Sequence, residues 1–236
     1  RGTLGGAVRR AGWAELSGEF WLATGLVVTV GAIAVLASRE RLDLRETTIV
    51  CFLSDHGDMM GDHWIINKGP FHLNGLLSMP FLWSCPGLFP EGVVSNGLVS
   101  YLDFAPTILN LADVPVPEGL APPEPEAAQQ LAPWPGISFE PQLRGEADSL
   151  QDSVVVENDE DYLGLRLRTL VTDRYQITVY PGQSYGELFD LQEDPGQLRN
   201  LWDDPASQEL KRDLLIRLME RLVETDNRLP RRTSHA

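Results

Sequence analysis

The sequence predicts an α/β domain followed by a small antiparallel sheet that carries a C-terminal helix. Three observations predict it. Two continuous apolar runs, TTIVCFLS at 47–54 and MPFLWS at 79–84, alternate with helical and loop segments. Runs of that kind suit strands buried on both faces of a parallel sheet. After Arg144 the texture changes to short β-rich runs broken by turn residues, DSVVVEN, LRLRTLVTD, RYQITVY and YGELFDL, the pattern of an antiparallel sheet. Residues 206–225, ASQELKRDLLIRLMERLVET, repeat leucine at helical spacing. The division is placed at 150/151, with residues 1–150 forming the α/β part and 151–236 the small α+β part.

Taken in order, residues 20–38, FWLATGLVVTVGAIAVLAS, carry no charge. The run touches the length of a membrane span, with Arg39 and Arg41 flanking one end. AVLAS also resembles a crude export cleavage site. Gly, Ala and Thr dilute the run, so a buried helix is expected and a membrane segment is the lesser alternative. No export signal is assigned, and the compartment stays open between cytoplasm and periplasm. Residues 100–114, SYLDFAPTILNLADV, place Leu102, Ala105, Ile108, Leu109 and Ala112 on one helical face, with Pro106 in the first turn. Seven prolines in 115–136 exclude a regular element and imply an extended surface loop. The last helix has Leu210, Leu214, Leu215, Leu218 and Leu222 as its apolar stripe, Asp203 or Asp204 as its cap, and Pro205 at its first position.

Composition narrows the function classes. A net charge of −15 on 236 residues argues against nucleic-acid binding, which needs clustered Lys and Arg. An anionic substrate must then be drawn in by a local cation or a metal. Cys51 and Cys85 stand far apart with no finger spacing, so they read as small core hydrophobes rather than a zinc knuckle or a disulfide framework.

The chemistry concentrates in FLSDHGDMMGDHWIINKGPFH, residues 52–72, which holds three of the four histidines. In open α/β sheets, ligands bind beyond the carboxyl ends of the strands, and SDHG stands at such an end. Asp55 oxygen and His56 nitrogen, leaving the strand together, suit Ca²⁺, Mg²⁺ or Mn²⁺, with zinc possible. Lys68, on a Gly-Pro-punctuated loop, can hold an anionic group. His63 and His72 can move protons near neutral pH. The plainer readings are a strand-to-turn cap for SDHG and a solvated loop lysine for Lys68.

TIVCFLSDHGDMMGDHWIINKGPFHLNGLLSMPFLWSCPG closely resembles the second half of a sulfatase of the alkaline-phosphatase-like superfamily. SYLDFAPTILNLADVPVP, GISFEPQLRGE and RTLVTDRYQITVY with GELFDLQEDPGQLRNLWDDP extend the resemblance from about residue 22 to the end. It implies a partial alkaline-phosphatase-like α/β sandwich with the N-terminal half missing. It further implies a divalent cation, calcium first and manganese or magnesium next, held in part by Asp55 and His56. Lys68 matches the lysine that holds sulfate oxygens, and a histidine protonates the leaving alcohol. The substrate implied is a small anionic sulfate ester.

The departures are specific. The family's nucleophile is a formylglycine made in a C/S-x-P-x-R run, and neither cysteine nor any serine here stands in one. The formylglycine is therefore expected in the N-terminal half, and the chain by itself is expected to be inactive. Val28 and Ala32 stand where relatives often have Asp and Arg, and Asn74 and Ser78 where an acidic residue and Arg are frequent. The rival readings are a phosphonate monoester or phosphodiester hydrolase on the same framework, and a non-catalytic remnant held at a membrane by residues 20–38.

Overall fold

The computed structural model describes residues 31–115, 136–159 and 164–225. The chain divides into two units at Glu91/Gly92.

In the first unit, helix α1 covers residues 31–41. A turn leads to strand β1 (Val50–Leu53), and after the loop that carries the polar cluster come a one-turn helix α2 (Asn74–Leu77) and strand β2 (Phe81–Ser84). Arg39 is the buried residue of α1. Its guanidinium donates to Ser84 Oγ at 3.4 Å and to the carbonyl of Arg45, which ties the helix to β2.

Both apolar runs form strands, but the parallel pairing expected of them is not seen. β1 and β2 pair antiparallel as a two-stranded sheet, with Val50 opposite Ser84 and Leu53 opposite Phe81. Continuous apolar sequence reports burial on two faces, not the direction of the neighbour. Burial is also incomplete: Phe52 is 42% exposed and Leu82 62%. The helix expected over 20–38 is present from residue 31, but Ile33, Val35 and Leu36 are exposed rather than buried. Residues 20–30 lie outside the described residues. Among the described residues no helix is long and apolar enough to cross a membrane.

In the second unit, Ser100 and Asp103 build a capping box ahead of helix α3 (Phe104–Leu111). Ser100 Oγ accepts from Leu102 N and Asp103 Oδ2 accepts from Ser100 N. Pro106 sits in the first turn, as expected. The expected apolar face does not hold: Leu102 and Ile108 point outward, while Asp103, Pro106 and Thr107 are buried. The polar pair explains the inversion. Asp103 also accepts from Ile137 N at 2.9 Å and from Gln151 Nε2 at 2.7 Å, and Thr107 Oγ1 accepts from Phe139 N at 3.0 Å. A buried carboxylate with such partners fixes a helix face that periodicity of apolar residues does not report. The proline-rich stretch lies largely outside the described residues. A short helix α4 (Glu140–Leu143) follows.

The antiparallel sheet is as expected: β3 (Ser153–Asn158), β4 (Leu167–Thr172), β5 (Tyr175–Val179) and β6 (Gly186–Asp190), paired in chain order. Strand alternation sends Val155, Leu170, Ile177 and Leu188 to one face in register. Helix α5 (Gln208–Thr225) lays Leu214 and Leu218 on that face, with Leu210, Leu215 and Leu222 beside them. Asp204 takes the N-cap position of the 3₁₀ turn (Pro205–Ser207) that leads into α5, its carboxylate accepting from Ser207 Oγ at 2.6 Å rather than from the turn's backbone, and Pro205 takes the turn's first position.

At the β6 end, Asp190 Oδ2 accepts two hydrogen bonds from Arg174, at 3.0 and 2.8 Å. Arg174 first, and then the backbone N–H groups of Glu193 and Gln192, holds the Asp190 carboxyl below the ordinary range. Because the folded-state value is depressed, the pair stabilises the fold above the unfolded carboxyl value of about 3.9, and that stability is lost as pH falls through the folded value. Urea midpoints measured from about pH 5 to about pH 2 should fall more steeply for the parent than for Asp190→Asn. Parallel curves would show the pair to be inert.

Candidate functional site

The turn that leaves β1 is built by its own side chains. Ser54 Oγ donates to the His56 carbonyl at 2.7 Å, and Asp55 Oδ1 accepts from His56 N at 3.1 Å. Gly57 N donates to the Leu76 carbonyl at 2.9 Å, which pins the turn to α2. A side chain on Gly57 would put its Cβ 2.0 Å from the Gly75 carbonyl oxygen. That glycine is needed for close backbone approach. Met59, almost wholly buried, seats the loop beyond.

This turn brings together three of the five residues singled out from the sequence. His56 Nδ1 lies 2.7 Å from the Gly57 carbonyl, which can only accept, so Nδ1 carries the proton. The Nε2 atom therefore presents a lone pair, and Lys68 Nζ lies 2.8 Å from it as donor. Asp55 Oδ2 stands 3.5 Å from the same Nε2, on a side chain 86% exposed. Two electron-rich atoms thus converge with an ammonium group as their counter-charge. The Asp55 carboxyl is held below the ordinary range, first by the His56 backbone N–H, then by the positive charge of the His56 ring whenever that ring is protonated, and last by Lys68.

The other two stand outside this trio. His63 is half-buried on a 3₁₀ turn (Asp62–Trp64), with φ +50, in a loop where Met60, Gly61 and Trp64 also take positive φ. Trp64 is left largely exposed. His72 is enclosed, 5% exposed, on the approach to α2. Sequence reading missed Ser54 and Gly75. Ser54 is a turn-shaping serine beside the pair, and its signal was the SDHG string itself. Gly75 meets Gly57 across the fold, and no local pattern marks it.

Among the described residues, no group of three or more His, Cys, Asp and Glu side chains gathers around a common point. Two donors are too few for a metal centre, so Asp55 and His56 could serve only as members of a larger ligand set: the carboxylate oxygen is accessible, and the Nδ1–H···O=C bond fixes the tautomer whose lone pair lies on Nε2.

The family described as N-sulphoglucosamine sulphohydrolase, C-terminal, matches residues 61–224. The chain is 31% identical over 163 residues to the Delta 4,5-hexuronate-2-O-sulfatase of Bacteroides thetaiotaomicron, covering 67% of this chain and 31% of the relative. A solved 2-O GAG sulfatase superposes with a TM-score of 0.64 at 28% identity, covering 76% of this chain and 37% of that one. The phosphonate monoester hydrolase of Agrobacterium radiobacter shares the fold, with a TM-score of 0.65 at 22% identity over 82% of this chain and 38% of its own. The chain spans about a third of the length of the relatives it matches, 31% of the first and 37% of the second. With most of its length matched by a sulfatase family, the chain belongs to the sulfatases of the alkaline-phosphatase-like superfamily, and the part it shares with them is their C-terminal region.

Proposed function

We propose that this chain serves the hydrolysis of a sulfate ester, with a sulfated sugar as the substrate class, by supplying part of a divalent-metal site and a fixed cation. The observation that carries the reading is the convergence of Asp55 Oδ2, His56 Nε2 and Lys68 Nζ at the carboxyl end of β1. The sugar comes from the relative that is a hexuronate sulfatase. Residues 1–150 are assigned to the catalytic α/β part and 151–236 to the C-terminal subdomain.

Asp55 and His56 would hold the cation, with calcium first among those that suit an exposed carboxylate. When bound, such a cation polarises the oxygens of the transferring group. Lys68 places a positive charge against one oxygen of the ester's anionic head, a fixed charge at the position where charge develops. His63, half-buried with access to solvent, is the candidate to carry a proton to the leaving oxygen, ahead of the enclosed His72. The residues present do not fit a formylglycine nucleophile, because no Cys or Ser stands in a C/S-x-P-x-R run. No step through that group is derived from this chain.

The test is steady-state kinetics of the full-length gene product on an aryl sulfate and on a sugar 2-O-sulfate. Asp55→Ala should lower metal affinity and turnover together. Lys68→Ala should cut turnover by about a hundredfold, the usual scale for a lost oxyanion stabiliser. Lys68→Arg should rescue only in part, since a planar fork does not replace a compact point charge. A Lys68→Ala enzyme as active as the parent would make Lys68 an ordinary loop lysine.

A further inference from the structure

We propose that Trp64 is the platform for the sugar ring of the ester: its indole stacks on the pyranose that carries the sulfate, and so selects a glycoside over an open-chain sulfate. This rests on the reading of Lys68 as the cation that faces the anionic head, and it adds the contact that recognises the rest of the substrate.

Trp64 buries too little to be held in place for the sake of the fold. It is 71% exposed, more than any other aromatic side chain among the described residues, and a ring left in water contributes little burial energy. Its backbone stands at φ +66, a left-handed conformation that is an outlier for a bulky residue. His63 and Met60 are each at φ +50. Strain of this kind persists only where neighbouring bonds over-determine it, and it gathers at ligand contacts. Such bonds are present. Gly61 N donates to Ile65 O at 2.8 Å, Met60 N to Ile66 O at 3.3 Å and Ile65 N to Asp62 O at 2.9 Å. They close the loop on both sides of Trp64 and fix where its backbone stands.

The position of the loop points to the ligand. Residues 57–67 leave from His56 and return to Lys68, whose Nζ lies 2.8 Å from His56 Nε2. The loop therefore rises from the polar trio itself, and compact loops with such close ends are frequently functional. Helix α2 seats both parts. Gly57 N donates to Leu76 O, and a Cβ on Gly75 would meet Met59 Sδ at 3.3 Å. A pyranose has an apolar C–H face and a rim of hydroxyls, and an indole offers a flat apolar face with one N–H donor. A sulfated sugar matches both features at once, its sulfate at Lys68 and its ring at Trp64. A platform already fixed in place binds without the cost of ordering it.

The experiment uses the 236-residue chain with ¹⁵N-labelled tryptophan. The probes are a hexuronate disaccharide in 2-O-sulfated and unsulfated forms, and an alkyl sulfate that has the anionic head and no ring. The Trp64 indole N–H, assigned by its loss in Trp64→Gly, should shift with both sugars and stay in place with the alkyl sulfate. Trp64→Gly should bind both sugars about tenfold more weakly, the scale of an aromatic contact. Trp64→Tyr should recover most of that loss, and Trp64→Leu should not. Lys68→Met should instead abolish the preference for the sulfated sugar and leave the shift with the unsulfated one. Glycine accepts φ +66 without strain, so Trp64→Gly should unfold at a urea midpoint no lower than the parent's. A lower midpoint would make Trp64 a structural residue and overturn the platform. So would an indole that neither sugar moves, or full recovery by Trp64→Leu. Broadening of the indole with protein concentration, without a response to sugar, would assign it to contact with a second copy and overturn the platform as well. A Trp64 shift with no Lys68-dependent sulfate preference would overturn the reading of Lys68 and leave the ring contact standing.

Discussion

Gly57→Ala is expected to destroy the candidate site and to destabilise the first unit by about 2–4 kcal/mol, combining overpacking with a lost backbone hydrogen bond. The added Cβ would lie 2.0 Å from the Gly75 oxygen, 3.0 Å from the Gly75 carbonyl carbon and 3.1 Å from Leu76 Cα. All three are backbone atoms, so no side chain can swing aside. Relief requires the turn to move off α2, and that breaks the Gly57 N–Leu76 O bond of 2.9 Å. Asp55 and His56 are carried by the same turn and move with it. Gly61→Ala is the matched control. Its φ is +102, but nothing lies within 4 Å of the added Cβ, so it should cost only the left-handed strain of about 1–2 kcal/mol. Urea unfolding followed by tryptophan fluorescence, beside Mn²⁺ titration, checks both. If Gly57→Ala unfolds at the parent's midpoint, the close approach does not govern this turn.

Leu188→Ala should destabilise the second unit by about 2–5 kcal/mol. Leu188 is fully buried on the edge strand β6, on the sheet face it shares with Leu170 and Ile177 and against Leu214 and Leu218 of α5. Truncation removes buried methyl groups and leaves a void that β6, paired with β5 on one side and held by Asn200 and Leu201 on the other, cannot collapse. Met219→Ala, on the outward face of the same helix, should stay within about 0.5 kcal/mol of the parent. Thermal unfolding by circular dichroism reads both. A Leu188→Ala protein that melts with the parent would mean that α5 and the sheet do not share a core.

The parts of this molecule that were legible in the sequence are those written in a local period. Strands of the small sheet alternate, and their order follows the chain because short turns join them. The leucine stripe of α5 and its Asp204–Pro205 start are likewise local. Asp55 and His56 could be singled out because they follow an apolar strand directly. Partnership over distance was not legible. The run at 47–54 says nothing about whether residues 81–84 arrive parallel or antiparallel. The inward face of α3 is set by Asp103 and Thr107 because Ile137, Phe139 and Gln151 need acceptors there, and those donors lie more than thirty positions away. The Lys68–His56 contact is of the same kind: twelve residues separate the pair, and only folding shows that they share one atom's lone pair.

The grip of Asp103 and Thr107 on Ile137 and Phe139 has a consequence for how this chain can change. Those bonds close Ile137 and Phe139 onto α3 whatever the length of the sequence between. Lengthening the sequence between two points so fixed costs little, about 0.6 kcal/mol for each doubling. A tag or a small folded module inserted in the sequence between Leu111 and Ile137 should therefore put little strain on the helix. The capping box and its acceptors would have to remain. Replacing Asp103 would remove that closure, and the same insertion would then loosen the described residues between Ile137 and β3.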